Sequence, residues 1–274
     1  IMMRVLVLLI FVVSCASTGR VLYKSELPNV APKKQLSEVP FILQKDAYCG
    51  PATLAMLLNY RGENYSQNEL SELTFVEKAN GTYQSSMKSA VRKKGYMLVE
   101  LDSIEDIIKE INIDNPVVVF QNLGFDWYPF WHYSLIVGYD LESDLLTIHS
   151  GEEKFKKIEV SKFMKSWKRA GKWGFTAVIP GYESATASEL ELMKSASILE
   201  KLGYTPLARR AYEQIAHQFP DSFMAYVGLG NLSLRDNQLA QSKQYYEKAK
   251  EIAPSNPVIH NNLSYINNLI KLQN

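Results

Sequence analysis

An α+β body followed by an all-α C-terminal segment is the fold class that this 274-residue sequence predicts. Three observations point there. Short helical patterns occupy the first half of the body and strand-like runs the second, as in folds that segregate helices from strands. Beyond Gly181 only helical spacing remains. Within that last part a period of 34 residues aligns Ala208 with Ser242, Tyr212 with Tyr246 and Pro220 with Pro254.

Composition limits the function classes. Thirty basic and 29 acidic residues leave a formal net charge of +1, so no charge excess marks a nucleic-acid surface. The length suits one fair-sized domain and a smaller one.

The N-terminal stretch reads as targeting. Arg4 precedes an unbroken apolar run, Val5 to Val13, too short to span a bilayer but of signal-peptide length. Val12-Val13-Ser14-Cys15 then resembles the lipobox of bacterial lipoproteins. That resemblance implies acylation of Cys15, with 1–15 as signal peptide, and the alternative is an ordinary secretory signal. Ala16 after the cysteine favours the periplasmic side of an outer membrane. Polar residues 16–38, with Pro28, Pro32 and Lys33-Lys34, read as a tether, 39–181 as the body and 189–274 as the helical segment. With Cys15 as anchor, only Cys49 remains, and no internal disulfide can form.

The elements follow in order. Cys49-Gly50-Pro51 opens a helix that runs apolar to Tyr60, with Asp46 as a polar residue before it. Ser66 with Glu69 signals a capped helix, Asn80-Gly81-Thr82 a turn, and Ser85 to Gly95 a further helix. Tyr96 to Leu101 reads as a strand, Ser103 to Ile111 as an amphipathic helix and Val117 to Phe120 as a buried strand. An aromatic loop from Phe125 to Trp131 leads to His132 and a strand over Tyr133 to Asp140. Leu141 to Asp144 turns into a hairpin partner, Leu145 to His149, and Trp173 to Ile179 closes the body.

Cys49 at a helix start lies in the positive end of the helix dipole, which favours thiolate. Gln44 is placed to donate to an oxyanion, and His132, distant in sequence, can serve as base. Of the four histidines, His217 and His260 fall in the helical segment, leaving His132 and His149. No metal-ligand spacing occurs, and no metal or cofactor is expected.

Gln44, Cys49-Gly50-Pro51-Ala52, Trp131-His132-Tyr133 and Gly138-Tyr139-Asp140 together resemble the C39-like branch of papain-like cysteine peptidases, over Pro40 to Gly181. The resemblance implies that fold, with Cys49 as nucleophile, His132 as general base and Gln44 as oxyanion donor. In that family an Asp or Asn on the next strand orients the histidine. Here Leu145 to Gly151 offers His149 or Ser150 at that place, with Asp140 nearby but earlier, and no carboxylate.

The C-terminal period resembles the tetratricopeptide repeat, with one full unit over Phe223 to Asn256. Two units and a final helix are marginal alone and are expected to dock on the body or a partner. The leading expectation is a membrane-anchored cysteine peptidase acting on peptide, its repeats recruiting a protein. The alternatives are a degenerate peptidase fold kept as a binding lipoprotein, and acyl transfer from a thioester formed on Cys49.

Overall fold

The computed structural model describes residues 27–273. Cys15 and the signal-peptide expectation lie outside the described residues. In chain order the body comprises β1 (Lys33–Gln35), α1 (Cys49–Tyr60), α2 (Gln67–Thr74), β2 (Phe75–Val76), β3 (Gly81–Thr82) and α3 (Gln84–Lys93). It continues with β4 (Met97–Leu101), α4 (Ile104–Asn112), β5 (Val117–Asn122), β6 (Trp131–Asp140), β7 (Leu145–Ser150), β8 (Glu153–Glu159), α5 (Val160–Arg169) and β9 (Gly174–Val178). Five helices follow: α6 (Glu189–Lys201), α7 (Thr205–Gln218), α8 (Phe223–Arg235), α9 (Leu239–Ile252) and α10 (Pro257–Gln273). The architecture is therefore an α+β body with an all-helical C-terminal segment.

One antiparallel sheet organises the body in the order β4-β9-β5-β6-β7-β8, with β1 added beside the far end of β6. The strand β5 is central, and Val117, Val118 and Val119 are wholly buried. β-Branched residues suit such a strand, flanked by neighbours on both sides. α1 packs on β6, and every residue from Gly50 to Leu58 is buried. That explains an apolar sequence with no polar stripe, since a helix apolar all round is a central one. α4 instead buries Ile104, Ile107, Ile108 and Ile111 at helical spacing and is capped by Ser103, whose Oγ accepts the Asp106 N–H at 3.0 Å.

The tether expectation is corrected from Leu27 onward. Leu27, Leu36 and Val39 are buried, and Lys33 and Gln35 pair with Asp140 and Gly138 of β6. The approach is close: a Cβ on Gly138 would lie 2.7 Å from the Lys34 carbonyl oxygen. A three-residue strand of two lysines and a glutamine carries too few apolar residues to show a period. The short strand β2, and β8 and α5, also have no counterpart in the sequence reading. β8 (EKFKKIE) is a half-exposed edge strand, and α5 buries little beyond Val160, Phe163 and Trp167.

The helical segment docks on the body through α6, which packs against β4. Ser195 Oγ donates to the Leu98 carbonyl at 3.3 Å, and Tyr204 Oη to the Lys93 carbonyl at 2.6 Å. Residues joining the two parts are not a free linker, because Ser184 and Ala187 are buried. Glu110, itself fully buried on α4, accepts from Ser184 Oγ at 2.6 Å and from Thr186 N and Oγ1 at 3.0 and 2.6 Å. Within the segment, consecutive helices touch through small residues. A Cβ on Gly228 or Gly230 would meet the rings of Tyr212 or Tyr246 at 2.7 and 3.0 Å.

Candidate active site

Cys49 is the first residue of α1 and is held there by a strained approach. Ala47 takes a left-handed φ of 61°, uncommon for a residue with a Cβ, and the Tyr48 N–H closes the turn onto the Lys45 carbonyl at 3.0 Å. Tyr48 stands at the N-cap, with no side-chain cap, so Asp46 does not cap the helix. The thiol is free and half-buried. Backbone N–H groups of Tyr133, Gly50 and Cys49 favour its anion, yet burial outweighs them and pushes the thiol up from its ordinary value. The dipole argument from sequence is thus overturned by desolvation, which only the tertiary structure reveals.

His132 lies near the start of β6 and is buried, so the ring loses more by desolvation than it gains. Its imidazole is pushed down to about 4, first by burial and then by the Lys156 charge. The chain brings the two groups near one another, since the backbone N–H that favours the Cys49 anion belongs to Tyr133, the residue after His132. Thr53, one turn along α1, donates its Oγ1 to the Tyr133 carbonyl at 3.5 Å. Among the described residues no hydrogen bond joins Cys49 Sγ to the imidazole, and at neutral pH both groups rest uncharged.

The three residues considered for the third position part company. Ser150 Oγ stands 3.0 Å from His132 Nε2. His149 points to the opposite face of β7, as neighbours in a strand must. It is buried between Phe41 and Phe155, with ring centroids 5.3 and 4.7 Å away, and neither ring nitrogen makes a well-formed hydrogen bond. Asp140 is at the far end of β6, eight residues and about 26 Å along an extended strand. There it pairs with Lys33 at 3.1 Å and accepts the N–H groups of Glu142 and Ser143. His149 and Asp140 therefore do not orient His132.

Gln44 makes no hydrogen bond of its own among the described residues, but its backbone is fixed on both sides. Gln67 Nε2 donates to the Leu43 carbonyl and Gln67 Oε1 accepts the Lys45 N–H, each at 2.9 Å. Sequence reasoning missed Gln67, because nothing local marks a helix-start glutamine as a clamp on residues more than 20 positions away.

An open groove of about 560 Å³ is lined by Thr82, Tyr83, Phe120, Trp131 and Gly171. Thr82 links it to the cysteine: its carbonyl accepts Tyr133 Oη at 3.1 Å, and its side chain presses on Gly50, where a Cβ would lie 2.7 Å away. Thr82 Oγ1 is buried without a partner. Of the aromatic loop before His132, Trp131 lines this groove, stacked on Phe120 at 5.3 Å. Trp127 and Tyr128 instead stand outward, 81% and 72% exposed.

Cys49 at the start of α1, His132 on the strand that α1 packs against and Gln44 upstream all lie within the part of the chain that a family model matches. The chain belongs to the Peptidase_C39 like family, whose model matches residues 29–175. That membership suggests a peptidase. Among solved structures it is similar to a protein assigned as a C39-like peptidase from Bacillus anthracis, at 22% identity and a TM-score of 0.47, over 56% of this chain and 98% of that one. It is also similar to the peptidase domain of Streptococcus ComA, a bifunctional ABC transporter involved in quorum sensing, at 22% identity and a TM-score of 0.43, over 52% and 99% of the two chains. A third is a double glycine motif protease from an AMS/PCAT transporter in complex with its leader peptide, at 21% identity and a TM-score of 0.43, over 53% and 95%. No curated protein matches the chain.

Proposed function

We propose that the protein is a cysteine peptidase in which Cys49 attacks a peptide carbonyl and His132 carries the proton. The observation that carries this reading is the placing of the histidine ring. Nε2 faces Ser150 at 3.0 Å, while Nδ1 makes no hydrogen bond among the described residues and is not engaged by another group. The imidazole takes the thiol proton through Nδ1 as the Sγ–carbon bond forms, and returns it to the leaving amine. Gln44 and the Cys49 N–H hold the oxyanion, and water then cleaves the thioester. Thr82 and Trp131 flank the substrate chain in the groove.

The segment before the described residues anchors the protein through Cys15 in a bacterial envelope membrane, and the C-terminal helices act as tetratricopeptide-type repeats that hold a protein partner. Replacing Cys15 with Ser tests the anchor: the protein should leave the membrane fraction.

The direct test of the chemistry is cleavage of a mixed peptide pool by wild type, Cys49→Ala and His132→Ala, read by mass spectrometry. Cleavage by wild type and its loss in both variants supports the reading. A second reading, a binding lipoprotein with a peptidase-like fold, is favoured by one observation: the thiol is raised and the imidazole lowered, the reverse of an activated pair. An intact pool with wild type, together with retention of uncleaved peptide, would give the site to that reading.

A further inference from the structure

Behind His132 runs a line of polar side chains, half-buried at Ser150 and buried beyond it, that no carboxylate enters. Ser150 Oγ is 3.0 Å from His132 Nε2 and 3.1 Å from Ser134 Oγ. Ser134 Oγ is 3.0 Å from Gln121 Oε1, Gln121 Nε2 is 2.7 Å from Ser166 Oγ, and Ser166 Oγ is 2.8 Å from the Phe163 carbonyl oxygen. Gln121, Ser134 and Ser166 are all buried, and they come from β5, β6 and α5.

Each hydroxyl has one proton to give, so the direction of the line follows from its far end. The Phe163 carbonyl can only accept, and it therefore takes the Ser166 proton. Ser166 must then accept from Gln121, which assigns the amide nitrogen to that side and the amide oxygen to Ser134. Ser134 spends its proton on that oxygen and can only accept from Ser150. Ser150, its proton spent in turn, can only accept from His132. The ring is thereby held with its proton on Nε2 and a lone pair on Nδ1.

We infer that Ser150, Ser134, Gln121 and Ser166 are positioning residues that fix the tautomer and orientation of His132, the task an acidic side chain performs elsewhere in such pairs. The inference rests on the reading of His132 as the base that receives the Cys49 proton, since that transfer needs the bare Nδ1. It goes further in naming a neutral, four-residue relay as the third component. A neutral relay orients the ring without stabilising its charged form, unlike a carboxylate.

The test uses the full chain, labelled with ¹⁵N in histidine and carrying Cys49→Ala so that no turnover intervenes. The ¹⁵N shifts of His132 should show Nε2 protonated and Nδ1 bare at neutral pH. Ser134→Ala frees the Ser150 proton to turn onto Nε2, and a second population protonated on Nδ1 should appear. In chains that keep Cys49, Ser134→Ala and Gln121→Leu should lower kcat roughly 10- to 100-fold with KM unchanged, a fraction of a general base's whole contribution. Gln121→Glu keeps an acceptor toward Ser134 and should restore both the tautomer and most of kcat.

A parent His132 protonated on Nδ1 overturns the inference. So does a Ser134→Ala chain whose tautomer is unchanged. The tautomer is read without activity, so a chain that cleaves nothing but shows Nε2–H defeats the peptidase reading and leaves the relay standing.

Discussion

The side chain of Gln67 is bonded to the backbone immediately before and immediately after Gln44, accepting from Lys45 N and donating to Leu43 O, both at 2.9 Å. The two bonds fix where the Gln44 side chain departs from the chain while leaving its amide free. On the proposed role of Gln44 as an oxyanion donor, whose loss costs roughly 10²–10³ in turnover, Gln44→Ala should fall in that range. Gln67→Ala keeps the donor but loosens it, and a drop in kcat of about tenfold with little change in KM is expected. Steady-state kinetics on both variants checks this. Equal losses would show that Gln67 does more than position.

A second expectation concerns the thiol. Its burial raises it, so alkylation of Cys49 should climb with pH through a midpoint above the ordinary thiol value of about 8.5. No ion pair with His132 is present to be broken, and His132→Ala should leave that midpoint nearly unchanged. A midpoint below neutrality in wild type would contradict the resting state described above.

Acid should destabilise the fold through two histidines. His132 and His149 are both buried neutral and pushed down to about 4, His149 by burial and then by Lys154. In the unfolded chain each binds a proton near pH 6.5, so stability falls as pH drops from there toward 4. The shift corresponds to roughly 3 kcal/mol for each ring at most. Denaturant melts at pH 7 and pH 4.5 should show the loss, and His149→Phe should reduce it.

Glu110 gathers four donors, the Asn115 amide at 2.6 Å beside those of Ser184 and Thr186. Limited proteolysis of wild type should therefore spare residues 181–188. Glu110→Ala takes the acceptor from Ser184 Oγ and Thr186 Oγ1, a loss of about 1–3 kcal/mol for a buried donor left unpaired, and should both lower the melting temperature and open that stretch to cleavage. Early cleavage there in wild type would argue that the junction is loose.

The sequence announced what is local. Ser66 and Glu69 form the capping box that their spacing promised, with Ser66 Oγ accepting the Glu69 N–H at 3.2 Å and Glu69 Oε2 accepting the Ser66 N–H at 2.7 Å. The apolar run after Cys49 and the valines of β5 became a central helix and a central strand, because burial on every side needs no polar stripe. What could not be seen is tertiary. The rise of the Cys49 thiol depends on how deeply α1 sinks against β6, and the Gln121 to Ser166 contact joins residues 45 apart. β1 escaped notice because its partner, Gly138, betrays only that something comes close, not what.

The two margins of the sheet are guarded by different means. β8, at one margin, carries Lys154, Lys156 and Lys157, and lysines discourage a second chain from adding a strand there. β4, at the other, reads MLVEL and has no such charge run. Its outward carbonyl at Leu98 is taken by Ser195 of α6 instead. Cutting the chain after the body would uncover an apolar strand edge able to template aggregation. The C-terminal helices thus cover the one of these two margins that lacks a lysine run, whatever else they hold.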